Sequence, residues 1–271
     1  MLFTKQTPRK RFGQYWLIDE SVLSKIVRAA EIQPFDRILE IGPGRGALTE
    51  KLLNTQAELI HAIELDRDLV SGLKKCFFRR EKFSLQEGDF LSVDIKTFDG
   101  RPMNKVVANI PYNITSPLLE KLLGNLGSVP AITYNRLVLL MQKEVANRII
   151  ASPGSTNFSA MSVRLQLLAN TVGVCDVPPQ CFKPSPKVNS KVVVIEPLTL
   201  NERQDLNIEK KIDVLLKIAF LARRKKLKNT LVAIKPLPEL EVLAKTVGIS
   251  LDQRPQELSP IMWVNLAKAM N

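Results

Sequence analysis

The sequence has few of the residues that most often carry nucleophilic or metal-assisted catalysis. Its one histidine, His61, lies in an apolar stretch, where a core or edge position is expected. Its three cysteines, Cys76, Cys175 and Cys181, are odd in number and widely spaced. That spacing argues against a disulfide framework or a zinc site and favours a reducing compartment. We therefore expect chemistry that uses neither imidazole nor a metal.

Long apolar runs are also missing. No stretch approaches the roughly 18 apolar residues of a spanning helix, so no membrane association is expected. The basic N-terminus has no apolar segment behind it, which argues against a signal peptide. With 45% hydrophobic and 24% charged residues, the 271-residue chain is typical of a soluble globular protein with one large and one small domain. We expect a cytoplasmic monomer.

Acidic residues are outnumbered by basic ones. Lysine and arginine total 39 against 27 acids, and the net charge of +12 favours a nucleic-acid partner. Two basic segments are either solvated surface or phosphate contacts, and we favour phosphate contact for both. Their basic residues are Arg9, Lys10 and Arg11 near the N-terminus, and Arg223, Arg224, Lys225, Lys226 and Lys228 near the C-terminus.

Apolar runs that predict buried strands alternate with helical patterns up to Pro197, and only helical periodicity continues beyond it. This pattern predicts an α/β domain over residues 1–197 and a small all-helical domain over residues 198–271. The predicted strands cover residues 37–41, 59–65, 83–87, 106–108, 137–141, 171–177 and 191–196.

The first predicted strand runs into a glycine-rich turn, Gly42-Pro43-Gly44-Arg45-Gly46. Glycines let the backbone turn sharply and approach a ligand closely. The spacing is G-x-G-x-G, which differs from the dinucleotide pattern G-x-G-x-x-G. An acid at the strand end, Glu40, would repel a pyrophosphate and would suit a ligand with a positive amino group and a sulfonium. The turn therefore favours S-adenosylmethionine over NAD.

The next two predicted strands also end at acids. Glu64 lies 20 residues after Gly44, the distance at which an acid accepts from ribose hydroxyls. Alternatively, Glu64 and Asp66 only cap the next helix, a role that we expect of Asp66. Asp89, beside Phe90, is placed to accept from the adenine amine of the cofactor. With the glycine turn, these positions predict a Rossmann-like S-adenosylmethionine-dependent methyltransferase sheet.

The fourth strand leads into Asn109-Ile110-Pro111-Tyr112, ahead of a helix whose predicted N-cap is Ser116. Asn109 offers an amide oxygen, Ile110 precedes proline so that its carbonyl has a fixed direction, and Tyr112 offers a flat ring. Two acceptors and a stacking face are what an exocyclic amine on a nucleobase needs. The alternative is an ordinary strand-to-helix turn with a packed tyrosine.

Phe182 lies between basic residues in a loop, residues 178–187, that four prolines make stiff and extended. It is either a hydrophobic plug in this loop or a second stacking face for the target base, opposite Tyr112. We favour the stacking face because an unpaired base needs both faces covered.

These motifs, taken together and in order, resemble the bacterial small-subunit (16S) ribosomal RNA adenine N6,N6-dimethyltransferases, the kasugamycin-sensitivity methylases. The likeness covers nearly the whole chain, including the C-terminal basic segment. The matching segments are 12–14, 40–46, 63–66, 88–89, 109–112, 142–145, 182–188, 219–220, 223–225 and Leu227.

The resemblance implies dimethylation of two adjacent adenines in the hairpin loop near the 3′ end of 16S rRNA, with S-adenosylmethionine as methyl donor. It implies cofactor contacts at Tyr15, Leu17, Gly42, Gly44, Glu64, Asp89 and Asn109, and catalytic or target-base contacts at Asn109, Ile110, Pro111, Tyr112 and Phe182. Two residues depart from the usual pattern, because Tyr15 stands where asparagine or histidine is usual and Trp16 where phenylalanine is usual. The resemblance leaves open whether Tyr15 contacts the cofactor by its side chain or by its backbone.

Three other functions compete with this interpretation. A large-subunit rRNA adenine dimethylase that confers antibiotic resistance shares the core motifs, but the C-terminal domain and the proline loop around Phe182 argue against it. A non-catalytic assembly factor is disfavoured by the intact segment 109–112 and by the acids at the strand ends. A NAD-dependent enzyme is disfavoured by Glu40 and by the glycine spacing.

Overall fold

A computed structural model describes residues 14–95 and 97–270, which form two compact units. The first, which we call the sheet unit, consists of the described parts of Met1–Leu123, Ala131–Ala146 and Thr171–Pro197. The second, which we call the helical unit, consists of the described parts of Gly124–Pro130, Asn147–Asn170 and Leu198–Asn271.

The strands in chain order are β1 (Trp16–Leu17), β2 (Arg37–Ile41), β3 (Leu59–Glu64), β4 (Phe83–Glu87), β5 (Lys105–Asn109), β6 (Arg136–Gln142), β7 (Ala169–Val177), β8 (Phe182–Lys183) and β9 (Ser190–Pro197). One sheet of seven strands has the order β4-β3-β2-β5-β6-β9-β7, and β1 pairs with β8. Neighbours from β4 through β6 are parallel, whereas β9 is antiparallel to β6. Both β2 and β3 are buried along their whole length, which explains why most of their residues are apolar.

The first helices of the chain are α1 (Glu20–Ala29), α2 (Ala47–Leu53), α3 (Arg67–Phe77), α4 (Thr115–Leu123) and α5 (Lys143–Ile149). Acidic side chains cap two of these helices, and one of the two, Asp66, was predicted from the sequence and is confirmed. The Asp19 carboxylate accepts from the Val22 amide at 2.9 Å, and the Asp66 carboxylate accepts from the Asp68 amide at 3.1 Å.

The start of α4 differs from the prediction. A single 3₁₀ turn, Tyr112–Ile114, leads directly into a helix that begins at Thr115, so Ser116 lies inside the first turn and is not the N-cap. The Ile114 amide donates to the Pro111 carbonyl at 3.3 Å, and the Thr115 hydroxyl donates to the Tyr112 carbonyl at 3.3 Å. Because these bonds already close the turn, the chain needs no separate capping residue there.

The helical unit contains α6 (Ala160–Leu168), α7 (Leu206–Phe220), α8 (Leu227–Leu231), α9 (Leu237–Val247) and α10 (Pro260–Ala269). The last helix has a serine cap, since the Ser259 hydroxyl accepts from the Met262 amide at 3.4 Å and Pro260 takes the first helical position. The helices enclose a core around Trp263, whose side chain is fully buried.

The helical unit also includes residues 124–130 and 147–170, which the sequence assigned to the domain 1–197. Glu209 accepts from the Gly127 amide at 2.8 Å and forms a buried pair with Arg203, which donates in turn to the Ser128 carbonyl at 3.1 Å. A buried charged pair and its backbone partners are invisible to sequence periodicity. The structure therefore divides the chain differently from the predicted boundary at 197/198.

The scarce residues lie where their sequence context indicated. His61 is buried in β3, between the Ser84 hydroxyl and the Gln86 side chain, and burial lowers the pKa of its ring. The three cysteines are free thiols. Among residues 14–95 and 97–270, no helix is long and apolar enough to cross a membrane.

Candidate active site

A cavity of about 670 Å³ opens in the sheet unit where β2, β3, β4 and β5 end. These four strands are parallel neighbours, so the residues that follow them gather at one edge of the sheet. Of the site residues predicted from the sequence, those that line the cavity are Tyr15, Leu17, Gly42, Gly44, Glu64, Asp89, Asn109, Ile110, Pro111 and Tyr112. Phe182 is not among them. The roles assigned to these residues remain predictions.

The glycine-rich turn after β2 forms one wall of the cavity. Gly42 and Gly44 have φ of +66° and +60°, in the left-handed region that favours glycine. The Gly44 amide donates to the Glu64 carboxylate at 3.1 Å, which ties this turn to the end of β3. A Cβ on Gly44 would lie 3.0 Å from the Trp16 ring. The turn therefore needs glycine both for its backbone angle and for its close approach to Trp16.

Two buried acids, Glu40 and Glu64, line the cavity behind this turn. The Glu40 Oε2 atom has no hydrogen-bond partner in the described part of the chain. Burial, with Glu64 nearby, raises the pKa of Glu40 to about 8, and burial also raises the pKa of Glu64. A cation in the cavity would lower both pKa values because it stabilises the ionised forms. The wall is thus suited to a positively charged ligand.

Asp89 lies at the rim of the cavity, after the end of β4. Its carboxylate accepts from the Leu91 amide at 2.9 Å, while the preceding Gly88 amide donates to the Glu64 carbonyl at 2.9 Å. The Lys121 ammonium donates to the carbonyl of the next residue, Phe90, at 2.6 Å. These contacts hold an exposed carboxylate in a fixed position at the rim.

Asn109 ends β5 with its side-chain amide oriented by a backbone contact. Its Nδ2 group donates to the Tyr15 carbonyl at 3.0 Å, so its Oδ1 atom is left as an acceptor on the other side of the amide. The next amide, that of Ile110, donates to the Leu140 carbonyl at 3.1 Å and continues the pairing of β5 with β6. Pro111 follows with φ of −59°. The peptide around Ile110 is therefore held rigidly.

Tyr112 is oriented by two contacts. Its hydroxyl lies 2.5 Å from the Ser190 hydroxyl at the start of β9, and its ring stacks on Tyr15 with 5.3 Å between the centroids and 25° between the planes. The sequence did not identify Ser190 as a site residue. Its only signal was a polar residue beside a predicted strand, and the antiparallel pairing of β9 with β6 is what brings it to Tyr112.

Phe182 occupies the position of the hydrophobic plug, the alternative that we had disfavoured. Its side chain is 2% exposed and belongs to the apolar core of the sheet unit. The short strand β8 fixes it there, because Phe182 pairs with Leu17 of β1. The structure therefore places this ring in the core and not on the cavity wall, where a stacking face would have to lie.

Trp16 and Arg45 form a pair that the sequence did not predict. The Arg45 guanidinium lies 3.8 Å from the centroid of the Trp16 ring, in a cation–π contact. Trp16 is buried in β1, and both residues line the cavity. The pair covers the glycine-rich turn from the side of β1.

Comparison with known proteins identifies the family. A family model described as ribosomal RNA adenine dimethylase matches residues 5–271. The chain belongs to this family. A ribosomal RNA small subunit methyltransferase A of Prochlorococcus marinus (strain MIT 9211) is 62% identical over 271 residues, which are 100% of this chain and 96% of that protein.

Two solved structures resemble this dimethylase. The crystal structure of a dimethyladenosine transferase from Plasmodium falciparum is 29% identical, with a TM-score of 0.75 over 93% of this chain and 95% of that one. The crystal structure of the 23S rRNA methyltransferase ErmE shares the fold, with 23% identity and a TM-score of 0.74 over 94% of this chain and 98% of that one. The predicted family, enzyme class and Rossmann-like methyltransferase fold are confirmed.

The C-terminal basic segment of this dimethylase lies in the helical unit. Its side chains differ in whether they have a partner within the protein, which its sequence did not indicate. Lys226 and Lys228 both pair with Asp252, at 3.0 and 2.9 Å, and the Arg223 guanidinium donates to the Thr156 carbonyl. The neighbouring side chains of Arg224 and Lys225 are exposed, and within the described chain no ion pair neutralises them. The other predicted contacts, Arg9, Lys10 and Arg11, lie outside the described residues.

Proposed function

We propose that this dimethylase transfers methyl groups from S-adenosylmethionine to N6 of two adjacent adenines in the hairpin loop near the 3′ end of small-subunit (16S) rRNA. A relative named small subunit methyltransferase A at 62% identity supports the choice of subunit. The chemistry depends on one observation above all, the bond from the Asn109 amide to the Tyr15 carbonyl. That bond leaves the Asn109 oxygen as an acceptor next to the rigid Ile110 peptide.

The chemistry of the cavity wall fits S-adenosylmethionine. Glu40 and Glu64 favour a ligand that carries positive charge, and the left-handed glycines let the backbone approach it closely. When bound, this cofactor supplies a methyl group on a positively charged sulfur. The residues proposed to hold it are Tyr15, Leu17, Gly42, Gly44, Glu64, Asp89 and Asn109.

The target adenine is held through its amino group. N6 is a weak nucleophile because its lone pair is delocalised into the ring. When Asn109 Oδ1 and the Ile110 carbonyl accept the two amino protons, they favour a pyramidal nitrogen whose lone pair is concentrated. Pro111 keeps the Ile110 carbonyl in place, and Tyr112 covers one face of the base. Positioning and electrostatics then provide most of the catalysis.

The rRNA is bound through its phosphates, and Arg224 and Lys225 are the strongest candidates for these contacts because they are exposed and carry no ion pair within the described chain. The predicted contacts Arg223, Lys226 and Lys228 contribute less, since each already has a protein partner. We infer that the protein acts as a monomer in the cytoplasm, where small subunits are assembled.

The decisive experiment measures the modified nucleosides of rRNA. Small subunits from cells that lack this protein are incubated with the purified chain and methyl-labelled S-adenosylmethionine, and their nucleosides are analysed by mass spectrometry. We expect N6,N6-dimethyladenosine, with primer-extension stops at two adjacent positions, and no label on large-subunit rRNA. A Phe35→Ala variant is the control, because Phe35 is 69% exposed and does not line the cavity. Label on large-subunit rRNA alone would refute the proposal.

A further inference from the structure

S-adenosylmethionine, the cofactor of the proposed function, carries charges of both signs. Its sulfonium and its amino group are positive, and its carboxylate is negative. The cavity is lined by several acids, which are Glu40, Glu50, Glu64 and Asp89. These acids attract the two positive groups and repel the carboxylate. The cofactor is therefore bound best if the cavity also places a cation beside the carboxylate.

Two basic side chains are found among the described residues that line the cavity, Arg45 and Lys183. Arg45 belongs to the glycine-rich turn after β2. Both of its chain neighbours, Gly44 and Gly46, have φ in the left-handed region, at +60° and +83°. The turn thus sets Arg45 on the same wall of the cavity as the two buried acids.

The Trp16 ring supports the guanidinium of Arg45. The central carbon of the guanidinium lies 3.8 Å from the centroid of this ring, and Trp16 itself is buried in β1. A Cβ on Gly44 would lie 3.0 Å from the same ring, so ring, turn and guanidinium are in close contact. A cation–π contact uses no N–H donor. A guanidinium has several such donors, in a planar fork that matches a carboxylate.

Partial burial makes this guanidinium a stronger partner for an anion than an arginine on the open surface. The side chain of Arg45 is half-buried, and burial lowers the pKa of its guanidinium. The group nevertheless stays charged at neutral pH, as arginines in proteins do. A charge that has lost part of its water gains more from an opposite charge, because screening is weaker there.

We propose that Arg45 binds the carboxylate in the methionine moiety of S-adenosylmethionine, with the Trp16 ring as its support. This proposal rests on the proposed function and names a further residue of the cofactor site. The acids of the cavity then face the positive groups of the ligand, and the guanidinium faces its negative group. Arg45 thereby makes the site select a nucleoside that carries a complete amino acid over one that lacks the carboxylate.

The test compares two ligands that differ in one group. S-adenosylmethionine and its decarboxylated form share the adenosine, the sulfonium and the amino group, and only the first has a carboxylate. Titration calorimetry on the full chain without rRNA, at neutral pH, gives the dissociation constant of each ligand. The proteins are the wild type and the variants Arg45→Met, Arg45→Lys and Lys183→Met.

We expect the wild-type protein to bind S-adenosylmethionine roughly 10- to 150-fold more tightly than the decarboxylated form, the range of one hydrogen bond to a charged group. Arg45→Met should remove most of this preference. Its affinity for the decarboxylated form should not fall, which also shows that the site is intact. Arg45→Lys keeps the charge without the planar fork and should retain part of the preference. Lys183→Met should retain all of it.

Two results would overturn the role of Arg45. One is the wild-type ratio of affinities in Arg45→Met. If that variant also makes the salt dependence of rRNA binding shallower, the anion that Arg45 contacts is an rRNA phosphate. The other is a preference lost in Lys183→Met and kept in Arg45→Met, which would assign the carboxylate to Lys183.

The same titrations separate this inference from the proposed function. A wild-type protein that binds neither ligand would refute S-adenosylmethionine as the cofactor, and the proposed function with it. A wild-type protein that binds S-adenosylmethionine, with an unchanged ratio of affinities in Arg45→Met, would refute only the role of Arg45.

Discussion

At the scale of single residues, the side-chain amide of Asn109 is oriented by a bond to the backbone. Its nitrogen is bonded to the Tyr15 carbonyl, so the direction of its oxygen is set before any ligand arrives. A preorganised acceptor avoids the cost of reorienting during the reaction. The two protein groups next to it, the Ile110 peptide and the Tyr112 ring, are fixed by contacts to β6 and β9.

Asn109→Ala removes this acceptor, and we expect kcat to fall by about 100-fold or more. Binding of rRNA should change little, since Asn109 contacts no phosphate in the proposed mechanism. Single-turnover kinetics and filter binding measure the two effects. Asn109→Asp is the matched variant, because it keeps an oxygen but loses the N–H donated to Tyr15. Wild-type turnover in Asn109→Ala would contradict the mechanism.

Glu40 makes the stability of the ligand-free protein depend on pH. Its pKa is about 8 in the folded protein against 4.5 for an ordinary glutamate, so between these values the folded state holds a proton that the unfolded state has lost. The contribution of Glu40 to the free energy of unfolding therefore falls as pH rises from 4.5 to about 8, and it is constant above that.

Glu40→Gln should remove this contribution. The variant should gain stability relative to the wild-type protein as pH rises from 5 to 8, as measured by urea unfolding at each pH. Addition of S-adenosylmethionine should reduce the difference in free energy of unfolding between the variant and the wild-type protein, because a cation stabilises the ionised Glu40. A difference that does not vary with pH would show that Glu40 titrates as an ordinary glutamate.

At the scale of elements, the segment between α7 and α8 shows why a run of basic residues is not a uniform surface. Five of the six residues 223–228 are basic. Two of these five, Lys226 and Lys228, pair with Asp252, which lies outside the segment. Those two lysines lower the pKa of Asp252, so the acid stays ionised and offsets part of the charge. In the proposed function, the charge of this segment that can contact rRNA phosphates is therefore that of Arg224 and Lys225.

The salt dependence of rRNA binding tests this difference. Each lost phosphate contact makes the slope of log K against log salt shallower by roughly 0.7 to 0.9. Arg224→Ala with Lys225→Ala should reduce the slope more than Lys226→Ala with Lys228→Ala does. Asp252→Asn should strengthen binding, because it frees both lysines. Equal slopes for the two double variants would contradict the role of Asp252.

At the scale of the whole molecule, each unit is assembled from segments that are far apart in the chain. In the sheet unit, the order β4-β3-β2-β5 gathers four strand ends at one cavity. In the helical unit, the buried pair of Arg203 and Glu209 anchors the segment 124–130 through its backbone.

Glu209→Ala should destabilise the helical unit by roughly 3–5 kcal/mol, because it leaves Arg203 as an uncompensated buried charge. Replacement of both residues, with Arg203→Met and Glu209→Leu, should be close to neutral. Urea unfolding can follow the helical unit through Trp263 in a Trp16→Phe background, since the chain has two tryptophans. If Glu209→Ala is as stable as the double variant, then Glu209 does not compensate a buried charge on Arg203.

Local signals account for what the sequence predicted correctly. The predicted cap Asp66 is confirmed, because capping needs only a side chain and an amide two or three residues away. The strands 37–41 and 83–87 have the predicted bounds. The strand predicted over residues 59–65 ends one residue earlier, at Glu64. The glycine turn, the acids at the strand ends and the segment 109–112 were recognisable because each is a short contiguous motif.

The sequence by itself determined the seven strands of the large sheet and the chemical groups at the strand ends, because those depend on near neighbours in the chain. Only the tertiary structure decided which side chains meet. It placed Phe182 in the core, Tyr15 on Tyr112, Ser190 beside the Tyr112 hydroxyl and Asp252 between two lysines. These outcomes depend on strand pairing and buried charge between segments far apart in the chain, and no local pattern carries that information.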